Sequence, residues 1–131
     1  EQCGEKVVSV HSLKSANVAI EILREYKTQT SNKYIFHWFT GTKSQLEKAI
    51  QLGCYFSINP RMLKTKKGLE IINTVPVERM LLETDAPFTF KVQHIDEIEK
   101  ELKRIVLKIS EIVKTDMTDL FYENSREVFR Y

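Results

Sequence analysis

Two histidines and one aspartate each close a short apolar run. Lys6-Val7-Val8-Ser9-Val10 ends at His11, Tyr34-Ile35-Phe36 ends at His37, and Met80-Leu81-Leu82 leads through Glu83-Thr84 to Asp85-Ala86-Pro87. A strand that passes from core directly into a polar side chain presents that side chain. In parallel sheets flanked by helices, ligands and metals are held at the carboxyl ends of the strands, where the loops converge. Imidazole nitrogen together with carboxylate oxygen suits zinc, manganese, nickel or iron better than calcium. No serine or cysteine stands beside a base, so water activated by a metal is the most economical nucleophile. Taken singly, such a histidine is more often packed or solvated, and an Asp before a proline is an ordinary turn signal. The repetition at three strand ends is what marks His11, His37 and Asp85 as candidate metal ligands, with Asp85 the candidate catalytic group.

Those groups need a frame that alternates strands with helices. After the first strand (residues 6–10), Ala16, Ala19, Ile20, Leu23 and Tyr26 recur at steps of three and four, one stripe of a helix over residues 15–26. The second strand covers residues 34–36. Thr42 with Gln45 forms a capping box for a helix that runs to Leu52 and is closed by Gly53. Cys54 to Ile58 make the third strand, ended by Asn59-Pro60. A basic loop follows with Arg61, Lys64, Lys66 and Lys67, then a short helix marked by Leu69, Ile72 and Val75 and stopped by Pro76. The fourth strand covers residues 80–83. Asp96 with Glu99 caps a long helix whose stripe is Ile98, Leu102, Ile105, Ile109, Ile112 and Val113, and a last amphipathic stretch runs from about Thr118 to Phe129.

Repeated strand–helix units of this kind demand a parallel sheet, so the fold class is α/β with four parallel strands and flanking helices. Four units make half of an eightfold barrel and fit a small open sheet equally well. A half barrel leaves its first and last apolar strands with unpaired edges. A preceding half of the barrel, a second copy of the chain or the long C-terminal helix should cover them.

At 131 residues, 42% hydrophobic and 29% charged, the composition is that of one soluble globular domain. Lysine and arginine total 20 against 18 acidic residues, and a net charge of +2 does not by itself argue for nucleic acid. Cys3 and Cys54 make no metal spacing, and Cys54 inside an apolar strand reads as a reduced, packed thiol, which points to the cytoplasm. No apolar run approaches the roughly 18 residues of a membrane span, and no leader is visible. Without an initiating Met, the chain reads as a processed product or fragment.

The residues carry a resemblance. Val10-His11-Ser12, Phe36-His37-Trp38-Phe39-Thr40-Gly41, Leu52-Gly53-Cys54-Tyr55-Phe56-Ser57, the run from Val75 to Pro87 containing Glu83-Thr84-Asp85-Ala86-Pro87, and Glu123-Asn124-Ser125-Arg126-Glu127-Val128-Phe129 resemble the TatD family of metal-dependent deoxyribonucleases, in the family's order. The His-Trp-Phe-Thr-Gly form and the short loop after Pro87 are similar to the branch found in bacterial anti-phage operons. The resemblance implies a TIM-like (β/α)8 barrel with two divalent ions, Mg, Mn or Zn, at its carboxyl face. It also implies hydrolysis of DNA phosphodiester bonds, commonly as a 3′ to 5′ exonuclease. His11 and His37 would then hold the second metal, while Asp85 would hold the first and take the proton of the bridging water.

Departures from that pattern matter. The family's opening His-x-His and its metal-bridging Glu do not precede His11, Leu13 stands where an Arg is usual, and the Arg-rich Asn-x-Pro loop is missing after Phe88. Residues 1–131 are therefore read as the C-terminal half of the barrel, with an incomplete first metal site and no activity alone. The N-terminal half or a homodimer partner would complete it.

Arg61 and Lys64 are candidates to contact DNA phosphates, against the alternative of a solvated basic loop. Trp38 is a candidate to stack on a base, or simply fills the barrel mouth. Glu83 is expected to anchor backbone or a neighbouring ligand, and His94 to be solvent-exposed. Two other functions fit the pattern: a silent fragment that binds itself or a partner protein, and a metal-dependent ester or amide hydrolase on a related barrel.

Overall fold

Four short strands, β1 (Val7–His11), β2 (Lys33–His37), β3 (Tyr55–Ile58) and β4 (Met80–Leu82), form one parallel sheet in the order β1-β2-β3-β4. Helices α1 (Ala16–Lys27), α2 (Lys43–Gln51) and α3 (Lys66–Thr74) make the crossovers. α4 (Ile95–Val113) and α5 (Thr118–Phe129) follow the last strand. This computed structural model describes residues 4–130, so Cys3 lies outside the described residues.

Strand order never reverses along the sheet. Because parallel crossovers are right-handed, sequential order puts α1, α2 and α3 on the same face, the winding of a barrel and not of a doubly wound sheet. Side-chain alternation agrees. Val8, Val10, Tyr34, Phe36, Phe56, Ile58, Met80 and Leu82 turn toward the helices and merge with Ile20, Leu46, Ala49 and Ile72 in one core. Phe36, Phe56, Ile58 and Met80 are fully buried there, each contributing about 1.5–3 kcal/mol. Ile35, Tyr55 and Leu81 belong to a separate cluster with Val128 of α5 on the opposite face.

Local chemistry sets the helix limits. Thr42 Oγ1 accepts the Gln45 N–H at 3.3 Å while Gln45 Oε1 accepts the Thr42 N–H at 2.7 Å, the expected reciprocal cap of α2. Gly53, at φ 69°, turns the chain into β3. The stretch expected as a basic loop is instead a 3-10 turn (Met62–Lys64) running straight into α3, so Lys66 and Lys67 lie on the first turn of that helix. Two features force this. Thr65 Oγ1 caps α3 by accepting the Gly68 N–H at 3.0 Å, and a Cβ on Gly68 would sit 2.1 Å from the Met62 carbonyl oxygen.

The start of α4 also differs from expectation. The helix begins at Ile95, and His94 occupies the N-cap position without a side-chain hydrogen bond. Asp96 and Glu99 do not cap it; each pairs with a lysine one turn on, Lys100 and Lys103, at 2.6 Å, the ordinary fate of an acid four residues before a cation on an exposed helical face. Tyr26, expected on the buried stripe of α1, is 51% exposed. It lies in the last turn, past Leu23 where the buried stripe ends. Cys54 is buried and free, and burial pushes its thiol up to about 11 against the opposing pull of Lys27 and Arg79. Among the described residues no helix is long and apolar enough to cross a membrane.

α5 runs across the amino ends of the strands. Asn124 Nδ2 donates to the carbonyls of Val77 and Met80 at 2.8 and 2.9 Å, at the start of β4. Tyr55 at the start of β3 donates its hydroxyl to Glu127 Oε1 at 2.6 Å, and Lys33 at the start of β2 donates to the Glu127 carbonyl. Arg130 reaches Glu5, just ahead of β1, at 2.6 Å. The short helix thus fastens β2, β3 and β4, and Arg130 just beyond it holds the segment leading into β1, at the rim opposite to the one bearing His11, His37 and Asp85.

Two outcomes are expected. Asn124→Ala leaves two carbonyls without their donor and should lower unfolding free energy by about 2–4 kcal/mol, measured by urea denaturation; a loss below about 0.5 kcal/mol would show that α5 is not fastened there. Burial, with the hydrogen bond to Glu127 behind it, pushes the Tyr55 phenol up to about 12 from its ordinary 10. The fold therefore favours the protonated phenol. That contribution is whole below pH 10 and is lost as pH climbs from 10 through 12. Ultraviolet titration should show one tyrosine ionising late, and Glu127→Gln should bring its ionisation down toward the others.

Candidate functional site

Register builds the site. β1 and β2 pair so that His11 sits beside His37, and β2 and β3 so that His37 sits beside Ser57. The two imidazole centroids are 4.5 Å apart at an interplanar angle of 60°. The chain leaving β2 is held by packing: Phe39 meets Phe36 and Phe56 edge-on at 5.3 and 5.8 Å. Gly41 lies under the Phe39 ring, where a Cβ would approach to 2.4 Å. The Phe-Thr-Gly after His37 and Trp38 is thus a packing requirement, with Thr40 donating its N–H to Ser12 Oγ at 3.4 Å to tie the exits of β1 and β2 together.

At the end of β4 the Glu83 N–H donates to the Ile58 carbonyl at 3.1 Å, which carries the pairing one residue past the strand. The Glu83 carboxylate turns to its neighbours. Its Oε2 lies 2.7 Å from His37 Nδ1, and its Oε1 accepts from Asn59 Nδ2 at 3.3 Å. Asn59 is fully buried and accepts the N–H groups of Arg61 and Met62 on its Oδ1. The sequence marked Asn59 only as a strand terminator. It also fixes Glu83, which as expected anchors a neighbour.

A carboxylate on Nδ1 makes that nitrogen the donor and leaves Nε2 facing outward. Nε2 of His37 faces Asp85 Oδ1 at 3.5 Å. A nitrogen lone pair and a carboxylate oxygen repel at that separation unless a proton or cation lies between them. The donor chemistry of His11, His37 and Asp85 therefore fits a divalent ion. Their arrangement does not complete one: His37 meets Asp85 and its ring lies against that of His11, but among the described residues no three His, Cys, Asp or Glu side chains are arranged to hold a metal ion.

Two of the site's side chains stand on left-handed backbone, Trp38 at φ 46° and Asp85 at φ 51°. For residues other than glycine that conformation costs about 1–3 kcal/mol each and concentrates at functional sites. The turn after Asp85 is closed by its own carbonyl, which accepts the N–H groups of Phe88 and Thr89 at 2.9 and 3.2 Å. Thr89 also donates its hydroxyl to the Thr84 carbonyl.

A cavity of about 560 Å³ opens at this rim, lined among others by His11, His37, Asp85, Trp38, Arg61 and Phe88. The Arg61 guanidinium lies 5.9 Å from the Trp38 ring. Arg61 and Trp38 thus join the three ligand candidates. Lys64 does not line that cavity; it lies near Glu101 of α4, whose carboxyl is held below the usual range chiefly by Arg104, with Lys64 contributing. Its place at the end of the 3-10 turn, which spacing alone did not reveal, turns it away from the mouth. His94 is exposed, as expected.

Comparison with known proteins gives a consistent picture. The family model described as TatD related DNase matches residues 2–130. The chain is 38% identical over 79 residues to the deoxyribonuclease Tat-D of Schizosaccharomyces pombe, covering 60% of this chain and 25% of the yeast protein. It is 37% identical over 57 residues to the 3'-5' ssDNA/RNA exonuclease TatD of Klebsiella pneumoniae, covering 41% and 22%. The crystal structure of YJJV, a TatD homologue of Escherichia coli, superimposes with a TM-score of 0.76 at 20% identity, over 95% of this chain and 50% of that one. The chain spans half the length of that barrel, and its fold is half of the same architecture.

Ser57 Oγ, one strand over from His37, is buried with no hydrogen-bond partner. Ser57→Ala removes that unpaired group and should leave stability unchanged or raise it by up to about 1 kcal/mol. A clear fall in melting temperature would contradict this.

Proposed function

The chain belongs to the TatD-related DNase family, and from that premise we propose that it is the C-terminal half of a metal-dependent deoxyribonuclease barrel. It would contribute His11, His37 and Asp85 to the hydrolysis of DNA phosphodiester bonds. The observation that carries this reading is the meeting of His37 Nε2 and Asp85 Oδ1 at 3.5 Å at the carboxyl rim of the sheet. The name of the Klebsiella relative supports 3′ to 5′ exonuclease polarity.

His11, His37 and Asp85 would hold divalent ions, Mg, Mn or Zn and two per complete site. When bound, those ions supply positive charge for the phosphate oxygens and make water more acidic. Asp85 accepts the proton of the attacking water. Glu83, through Nδ1, holds His37 in the tautomer and orientation that keep Nε2 available. Arg61 meets a phosphate, and Trp38 offers its face to a base. Lys64, away from the cavity, is left out of that set.

Three donors do not make two metal sites, so the chain alone is inactive. The edges of β1 and β4 pair with a further half barrel, carried by a preceding segment or by a second copy, which brings the remaining ligands. The complete enzyme works in the cytoplasm, and its His-Trp-Phe-Thr-Gly segment supports the anti-phage branch of the family.

The test uses the complete assembly and a single-stranded oligonucleotide. Chelation should abolish cleavage, Mn or Mg should restore it, and Asp85→Asn should slow it by about 10²–10⁴-fold. Cleavage that survives both chelator and Asp85→Asn overturns the reading. Turnover of an ester panel without cleavage of DNA would make this an ester hydrolase instead.

A further inference from the structure

Trp38 follows His37 directly in the chain, and the Arg61 guanidinium lies 5.9 Å from its ring. Just before Arg61, Asn59 Nδ2 donates to Glu83 Oε1 at 3.3 Å, and Glu83 Oε2 lies 2.7 Å from His37 Nδ1. The path from His37 through Trp38, Arg61, Asn59 and Glu83 therefore closes on itself, and Asn59 sits in it with no exposure to solvent. Both ends of its amide are engaged. Oδ1 accepts the Arg61 and Met62 N–H groups at 3.1 and 3.3 Å, so Nδ2 is the end that faces Glu83. The reverse orientation would set donors against donors and oxygen against carboxylate. Met62 is itself 2% exposed, and its carbonyl oxygen lies where a Cβ on Gly68 would clash. Arg61 thus leaves a backbone held on both sides, at the exit of β3, an interior strand away from the edges that a further half barrel would cover.

We infer that Asn59 is a positioning residue for the reaction, setting where Arg61 grips a phosphate relative to where His37 holds metal. This rests on the nuclease reading and deepens it. A displacement of about 1 Å between reacting groups costs on the order of 10²-fold in rate. Arg61 and His37 leave different strands, and one buried amide ties the exit of β3 to the carboxylate that orients the imidazole of β2. Its carbonyl end serves the cation and its amino end serves the imidazole, so substitution can separate them. Serine keeps an oxygen that accepts the Arg61 and Met62 N–H groups but is too short to reach Glu83. Alanine does neither.

Two affinities of the complete assembly read the two ends. Binding of a single-stranded oligonucleotide in chelator reads the carbonyl end. Asn59→Ser should retain it, while Asn59→Ala should lower it toward the loss in Arg61→Ala, roughly ten- to hundredfold for one charge-assisted contact. Manganese affinity without nucleic acid, followed by its electron paramagnetic resonance signal, reads the amino end. It should fall about tenfold in both Asn59 variants, and no further when Asn59→Ser is added to Glu83→Ala, since Asn59 acts on His37 through Glu83. A role in stability alone would move both affinities together and would persist in the Glu83→Ala background. Manganese affinity unchanged in Asn59→Ser overturns the inference, as does oligonucleotide affinity unchanged in either Asn59→Ala or Arg61→Ala. If the unmodified assembly binds no manganese and cuts no DNA, the nuclease reading falls. The proton resonance of His37 Nδ1–H then still decides whether Asn59 positions the ring: exchange with water that quickens in Asn59→Ser upholds it, and unchanged exchange overturns it.

Discussion

The pairing of β1 with β2 in a register that sets His11 against His37 is the constraint on which the site depends. In a strand, a slip of one residue sends every side chain to the opposite face. Here a slip of β1 against β2 would turn His11 into the helix-facing core and bring Val10 out. That core prevents the slip. Val8, Val10, Phe36 and Phe56 are committed to the helices on one face, so the alternate residues have no option but the other. The imidazoles are thus placed by the hydrocarbon packed on the other face of the sheet.

Placement alone leaves a ring free to turn, and the next layer removes that freedom. Asn59, buried at the end of β3, holds Glu83, and Glu83 holds Nδ1 of His37. The series runs across three adjacent strands, each adding one partner at the same rim. On the fourth side the left-handed backbone at Asp85 swings its carboxylate back toward Nε2. The fold tolerates that unfavourable conformation because the turn behind it is closed by two hydrogen bonds to one carbonyl.

Much of this was legible in the sequence because strand ends and helix caps are local patterns. The ends of β1 and β2 at His11 and His37, the Thr42–Gln45 cap and the limits of α5 fall where the residues placed them, while β4 ends at Leu82, one residue short of the expected bound, and the resemblance to TatD nucleases is matched by the family comparison. Spacing alone left an open sheet and a half barrel equal; strand order decides between them. What spacing does not carry is direction. Lys64 follows a candidate strand end as Arg61 does, yet the 3-10 turn sends the two to different surroundings. Asp96 and Glu99 have cap chemistry, but lysines one turn away engage them first.

The fastening of β2, β3 and β4 by α5 has a bearing on how the chain is made. Strands β1 to β4 and their crossovers leave the ribosome before the helix that pins β2, β3 and β4, so the nascent sheet waits unlatched until residues 118–129 arrive. During that interval Ile35, Tyr55 and Leu81 lack the Val128 side chain that joins their cluster. Synthesis therefore passes through a stage with bare apolar surface and loose strand rims, the kind of species that molecular chaperones shield.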